Sequence, residues 1–346
     1  MGNSRQGRRD FLKLAMAVGG GMCALGVNNH AFASDKKPLV LGGLQGTNCI
    51  AFSLIDKFMP GYEVEYRQFN TVADITTATI RGEIHAAQII YTALVSLASN
   101  NVPITAMSGQ VNGGSDIVIR NDIDLKVDDW VAFKAMAADM KKKGKPFKLG
   151  SFFGSVQDIE LRLQLLKYGV DPLKDVDILN IPYPGMDQAL YRGDVDAVVP
   201  VQPFGVAMEL EKHGKHFAYP YDQAAGNLTN MIMVSQRSMK ENYPMVVHIA
   251  KGMYELTEFL KTPAGSKAWA AAALKYSNVS DSAIQLTIKQ LIPDYRMPMN
   301  NMLAMSKAMF DNGFIKTNMS RTEFSKYVSY KPLHDATKLS LSELGA

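Results

Sequence analysis

Short runs rich in β-branched and large apolar residues alternate along this chain with stretches of helical periodicity. Gly, Pro or a capping residue marks most of the changes. Alternation of that kind builds βα units and largely parallel sheets, so the fold class is α/β. A first round reads as strand Leu39–Leu41, a helix opened by Asn48 and ended at Pro60-Gly61, strand Val64–Phe69, helix Ala73–Arg81, strand Ala86–Ile90 and helix Thr92–Asn100. Strands Ile104–Met107 and Ile117–Ile119 flank the Gly-rich turn Asn112-Gly113-Gly114. A second round follows the basic helix Trp130–Lys143. It runs strand Lys148–Gly150, helix Val156–Tyr168, strand Val176–Ile181, helix Met186–Tyr191, strand Ala197–Val201, then helix Phe204–His213 closed by Gly214. The remainder reads as helical, with Ser320-Arg321-Thr322-Glu323 as a capping box for the last helix.

One internal echo points to two related halves. Ala78-Thr79-Ile80-Arg81-Gly82-Glu83-Ile84-His85-Ala86 matches Ala189-Leu190-Tyr191-Arg192-Gly193-Asp194-Val195-Asp196-Ala197. Each copy predicts a helix end, a Gly able to take positive φ, and then an apolar strand.

The first 33 residues read as a cleavable export signal. A basic start leads to the apolar run Leu14–Val27 and then to Ala31-Phe32-Ala33, so processing is expected before Ser34. The apolar run is 14 residues long, short of the roughly 20 that span a bilayer. Arg8-Arg9-Asp10-Phe11-Leu12-Lys13 fits a twin-arginine signal, which implies export to the periplasm in folded form. Cys23 follows Gly20-Gly21-Met22, a poor context for lipid attachment. Arg5, Arg8, Arg9 and Lys13 against Asp10 give this leader a charge of +3 out of +4, so the remainder is near +1. Nucleic acid is therefore not an implied partner. Cys49 alone remains after processing, which excludes an intramolecular disulfide.

In parallel sheets a ligand meets the loops at the carboxyl ends of the strands, where helices begin. The residues singled out there are Gln45, Gly46, Thr47 and Asn48; Asn70 and Thr71; Tyr91 and Thr92; Ser151, Phe152, Gly154 and Ser155; Tyr183; and Gln202. Their loops carry hydroxyls, amides, small residues and aromatic rings, and no charged side chain. That content suits a neutral ligand, or an anion held by helix N-termini. Ser155 also suits plain N-capping, and the rings also suit core packing. No Gly-x-Ser-x-Gly elbow, phosphate-cradling loop or Cys pair occurs, so no catalytic residue and no cofactor is expected. His213 and His216 read as a solvated helix end, with no metal expected, and the Met-rich stretch Met297–Met309 as core or an adhesive face.

Taken in order, Lys148-Leu149-Gly150-Ser151, Gly154-Ser155, Leu165-Leu166-Lys167-Tyr168-Gly169-Val170-Asp171, Asp175-Val176, Pro182, the stretch Ala189–Ala197 and Pro203-Phe204 resemble the nitrate/sulfonate/taurine-type solute-binding proteins of ABC importers. These are relatives of the thiamine-pyrimidine-precursor binding proteins. Met107-Ser108-Gly109-Gln110 and Asp116-Ile117-Val118 add to the likeness, which runs from about Leu39 to Tyr327. The resemblance implies a type II periplasmic-binding-protein fold with two α/β lobes joined by two crossing strands, near Ser115–Arg120 and Asn230–Ser235. It places residues 34–117 plus 232–346 in lobe 1 and 118–231 in lobe 2. It further implies a monomer that closes on a small-molecule ligand and hands it to an inner-membrane permease. Presentation of the solute to a sensor kinase is the alternative it leaves, with a pyrimidine-precursor enzyme behind that. The stretch Val199-Pro200-Val201-Gln202-Pro203 departs from the familiar acidic or tryptophan-bearing pattern. With no Arg or Lys in the ligand loops, an aromatic or heterocyclic ligand gains over a strongly paired sulfonate or nitrate.

Overall fold

A computed structural model describes residues 36–276 and 279–346; the leader, with its twin arginines and Cys23, lies outside the described residues. The first sheet takes β1 (Lys37–Leu44), β2 (Tyr62–Phe69), β3 (Ala86–Ile90) and β4 (Ile104–Gly109). Helices α1 (Thr47–Ile50), α2 (Val72–Arg81) and α3 (Tyr91–Ser99) connect them. A short ribbon strand, β5 (Val111–Gly113), precedes the second sheet, which takes β6 (Ile117–Arg120), β7 (Phe147–Ser151), β8 (Val176–Asn180), β9 (Ala197–Val198) and β10 (Gly214–Ala218). Its helices are α4 (Trp130–Lys142), α5 (Val156–Lys167), α6 (Tyr183–Arg192) and α7 (Phe204–Leu210). The chain then returns to the first sheet as β11 (Asn230–Ser235). Helices α8 (Gln236–Glu241), α9 (Tyr243–Leu260), α10 (Pro263–Tyr276) and α11 (Asp281–Gln290) follow. Strand β12 (Leu291–Pro293) pairs with β5, and α12 (Met299–Asp311), α13 (Arg321–Phe324) and α14 (Lys331–Thr337) complete the chain.

The two sheets have the same topology. The first runs β2-β1-β3-β11-β4 and the second β8-β7-β9-β6-β10. In each, three strands are mutually parallel, and the fourth in order is antiparallel to both of its neighbours. That antiparallel strand is the one entered directly after the chain leaves the other half. The sequence echo falls on equivalent places: Gly82 closes α2 ahead of β3 and Gly193 closes α6 ahead of β9, with φ of 78° and 74°. An L side chain is strained at such angles, by about 1–2 kcal/mol. Gly193→Ala is therefore expected to destabilise by about 1 kcal/mol, read as a lowered urea midpoint with an unchanged slope.

Three local expectations are corrected. Gly46, not Asn48, occupies the N-cap of α1, and a 3₁₀ segment, Ala51–Phe58, continues it. The Gly-rich turn at 112–114 is partly strand, because Val111–Gly113 pairs with Leu291–Pro293. Gly214 does not close a helix reaching His213. The helix stops at Leu210, and Gly214 begins β10. A Cβ there would lie 2.6 Å from Val118, 2.7 Å from Leu190 and 2.9 Å from the Ile119 carbonyl, so glycine is required for close strand approach. The histidines are accordingly not a solvated helix end. The His213 Nδ1 lies 2.8 Å from the Asp187 carboxylate, and the His216 Nδ1 lies 2.8 Å from that of buried Asp116.

Met297, Met299, Met302, Met305 and Met309 are all core. They share an apolar cluster with Val156 and Ile159, so α5 of the second half packs against the first. Among the described residues no helix is long and apolar enough to cross a membrane.

Candidate functional site

The carboxyl ends of β1, β2 and β3 and those of β7, β8 and β9 lead into loops that enclose a cavity of about 470 Å³. Ten of the residues singled out from sequence line it: Gln45, Gly46, Asn48, Asn70, Thr71, Phe152, Gly154, Ser155, Tyr183 and Gln202. Thr47 lines an adjoining depression that shares Gln45, Gly46 and Tyr183. Tyr91, Thr92 and Ser151 line neither. The first is fully buried with its hydroxyl 3.5 Å from the Arg296 carbonyl, and the other two are buried as well. A larger, more open depression of about 780 Å³ near Arg296 and Glu343 lies away from these strand ends and draws on the first half's side alone.

Local capping builds the walls. Thr71 caps α2, accepting from the Asp74 amide at 3.1 Å while its hydroxyl donates to the Asp74 carboxylate at 2.7 Å. Ser155 caps α5, accepting from the Asp158 amide at 3.2 Å, and Asp158 in return accepts from the Gly154 amide at 3.1 Å. Arg162 donates to the same carboxylate at 3.1 Å, and its guanidinium lies 5.3 Å from the Phe153 ring and 5.6 Å from that of Phe314. The loop before α5 is thereby tied to a buried ion pair beneath it. On the opposite wall the Trp269 indole donates to the Thr47 carbonyl at 2.7 Å, and Gln110 donates to the Asn48 carbonyl at 3.2 Å. Tyr183 stands between Phe152 and Phe204, with ring centroids 5.4 and 6.1 Å away.

Cys49, Gln157, Thr229 and Asn230 also line the cavity and were not singled out. Gln157 lies in the first turn of α5, two residues beyond the Ser155 cap, so position alone signals it. Thr229 and Asn230 open β11, whose antiparallel course brings its amino end to the edge where its neighbours' carboxyl ends lie.

No Asp, Glu, Lys, Arg or His occurs among the described residues lining the cavity. Burial pushes the Cys49 thiol up to about 12, and burial likewise raises the Tyr183 phenol, so both are neutral at physiological pH. The arrangement therefore offers hydrogen bonds, aromatic faces and helix N-termini, and no nucleophile–base pair. The one group of three metal-capable side chains found among the described residues, Asp187, Glu211 and His213, does not line the cavity.

Two matching α/β halves exchanging one antiparallel strand each, with a cavity between their strand ends, define a periplasmic-binding-protein fold of the second type. The chain belongs to the NMT1-like family, whose model matches residues 31–275. No curated protein matches the sequence. Among solved structures, it is similar to the periplasmic nitrate-binding protein NrtA from Synechocystis PCC 6803, at 13% identity and a TM-score of 0.74, covering 90% of this chain and 91% of that one. It is also similar to the alkanesulfonate-binding protein SsuA from Xanthomonas axonopodis pv. citri, bound to MOPS, at 14% identity and a TM-score of 0.64, covering 86% and 99%. A ligand-binding component of an ABC-type import system from Staphylococcus aureus, with zinc bound, matches at 12% identity and a TM-score of 0.68, covering 88% and 100%.

Proposed function

We propose that this chain is the periplasmic solute-binding component of an ABC importer. It captures a small ligand between lobe 1 (34–117 plus 232–346) and lobe 2 (118–231) and presents it, as a monomer, to an inner-membrane permease. The observation that carries this reading is the uncharged cavity lined from both halves by capped loops at the strand ends. Gln202 supports closure across the halves. Its amide donates to Gln290 of α11 at 2.7 Å and to Asp116 at 3.2 Å, in the segment that joins the sheets. A ligand that touches both walls only when they are together shifts the equilibrium toward the closed state. The site residues of the proposal are those lining the cavity, with Thr47 at its margin, and the ligand is either an oxyanion seated on helix N-termini or an aromatic or heterocyclic solute. Export by the twin-arginine route, from the Arg8-Arg9 motif, belongs to the same proposal. Catalysis is not part of it, because the two titratable groups in the cavity, Cys49 and Tyr183, are both held neutral.

The test uses protein from Ser34 onward, refolded to strip bound solute, in a thermal-shift screen of nitrate, bicarbonate, sulfonates, aromatic carboxylates and pyrimidines. A ligand at a hundred times its dissociation constant stabilises by about 2.7 kcal/mol, several degrees in melting temperature. A saturable shift for one class is the expected result. Silence across the panel, with no solute released when the protein as purified is denatured, would overturn the reading.

A further inference from the structure

Within that reading, a census of the cavity's hydrogen-bonding groups narrows the ligand. The side-chain donors are largely spent on the protein itself. Gln45 Nε2 donates to Asn70 Oδ1 at 2.7 Å, and Gln157 Nε2 donates to Ser115 Oγ at 2.9 Å. Gln202 Nε2 is held by Asp116 and Gln290, while the Gln202 Oε1 accepts from the Val206 amide at 2.9 Å. The Tyr183 hydroxyl donates to Gln157 Oε1 at 2.6 Å, and the Thr229 hydroxyl to the Gly113 carbonyl at 2.9 Å. The Thr71 hydroxyl is taken by Asp74. Asn230 Nδ2 faces the Cys49 sulfur at 3.8 Å, and that thiol faces Asn48 Oδ1 at 3.5 Å.

Acceptors are what remain. Asn230 is fully buried against the cavity, and its Oδ1 has no hydrogen-bond partner. A buried carbonyl left unpaired costs about 1–3 kcal/mol, so a ligand that satisfies it recovers that amount on binding. The Tyr183 oxygen has given its proton to Gln157 and keeps its lone pairs. No cation lines the cavity to neutralise an anion.

We infer that the cavity selects an uncharged ligand that donates hydrogen bonds, a ring-sized solute bearing N–H or O–H groups, with Asn230 Oδ1 as its specificity-determining acceptor. The inference rests on the solute-binding reading above and goes beyond it by choosing against the anions. An isostere lacking the donor leaves Asn230 unpaired and is rejected for that reason.

Three matched probes separate the alternatives: benzamide, N,N-dimethylbenzamide and benzoate, titrated into solute-free protein with ligand-observed saturation-transfer NMR. Benzamide is expected to bind at least tenfold more tightly than either of the others. Asn230→Leu is expected to abolish that preference, while Asn230→Asp, which keeps an acceptor at the same place, retains benzamide binding. Ligand-free melting temperatures report whether each variant folds, and should Asn230→Leu fail to fold, the comparison of probes on the unaltered protein decides. Preferential binding of benzoate, or equal binding of benzamide and its dimethyl form, would overturn the inference while leaving solute capture standing. Failure of all three probes would overturn it too. Only the absence of any solute on the protein as purified, together with silence in the thermal screen, would remove both.

Discussion

Asp158→Ala is expected to lower stability by about 3–5 kcal/mol, and the double replacement Asp158→Ala with Arg162→Met to restore most of the loss. Both members of this pair are buried in α5, with side-chain exposures of 0% and 6%. Burial raises the Asp158 carboxyl above its usual range even though Arg162 sits beside it, so desolvation outweighs the attraction within the pair. A pair of that kind adds little net stability, but removing one partner strands the other. Alanine would leave the Arg162 guanidinium between Phe153 and Phe314 without its carboxylate, and the Gly154 amide without its acceptor. The measurement is urea unfolding of the single and double variants. A single-variant loss below about 1 kcal/mol would show that Arg162 escapes to water, and a double variant no better than the single would place the cost in the Gly154 loop instead. Ligand affinity of the single variant is expected to fall as well, because Phe152, Phe153, Gly154 and Ser155 all line the cavity.

The parts of this arrangement that were legible from sequence are the ones encoded locally. Ser155 and Thr71 were readable as cavity-edge residues because a capping side chain must precede its helix, and a helix after a strand must start at the strand's carboxyl end. The helix–Gly–strand echo was readable for the same reason, since Gly82 and Gly193 serve their own turns. What was not legible depends on strands brought together from far apart. Gly214 looks like a helix stop until β6 lies against it, when its missing Cβ becomes a matter of clearance from Val118 and Leu190. Asn230 follows a loop and opens a strand, which by the parallel-sheet rule is the wrong end for a ligand. Only the antiparallel course of β11 between β3 and β4 places it at the cavity. Tyr91, Thr92 and Ser151 show the converse limit. Each stands at the right end of its strand, yet each is buried away from the opening. Strand ends locate the loop, and side-chain direction within the loop is decided by packing.

Glu160 on the same helix should behave in the opposite sense to Asp158. Glu160→Gln is expected to stabilise the protein at neutral and alkaline pH and to remove a pH-dependent loss of stability. The Glu160 side chain is fully buried, and neither carboxyl oxygen has a hydrogen-bond partner. The groups that bear on it are the Ser115 hydroxyl and the Tyr183 and Tyr221 phenols, so no cation offsets its burial, and burial pushes its pKa well above the usual glutamate range. The folded protein therefore keeps a proton that the unfolded chain releases once the pH passes the ordinary glutamate value. Stability is complete below that value and falls by about 1.4 kcal/mol per pH unit as the pH rises toward the raised one. Glutamine has the shape of the protonated acid and nothing to titrate, so the variant's advantage should widen with pH and vanish near pH 4. Urea midpoints of both proteins across pH 4–9 measure it. Parallel curves would mean that Glu160 is ionised and compensated in the fold, and a variant less stable throughout would mean that the carboxyl, and not merely its shape, holds Ser115 at the junction of the two sheets.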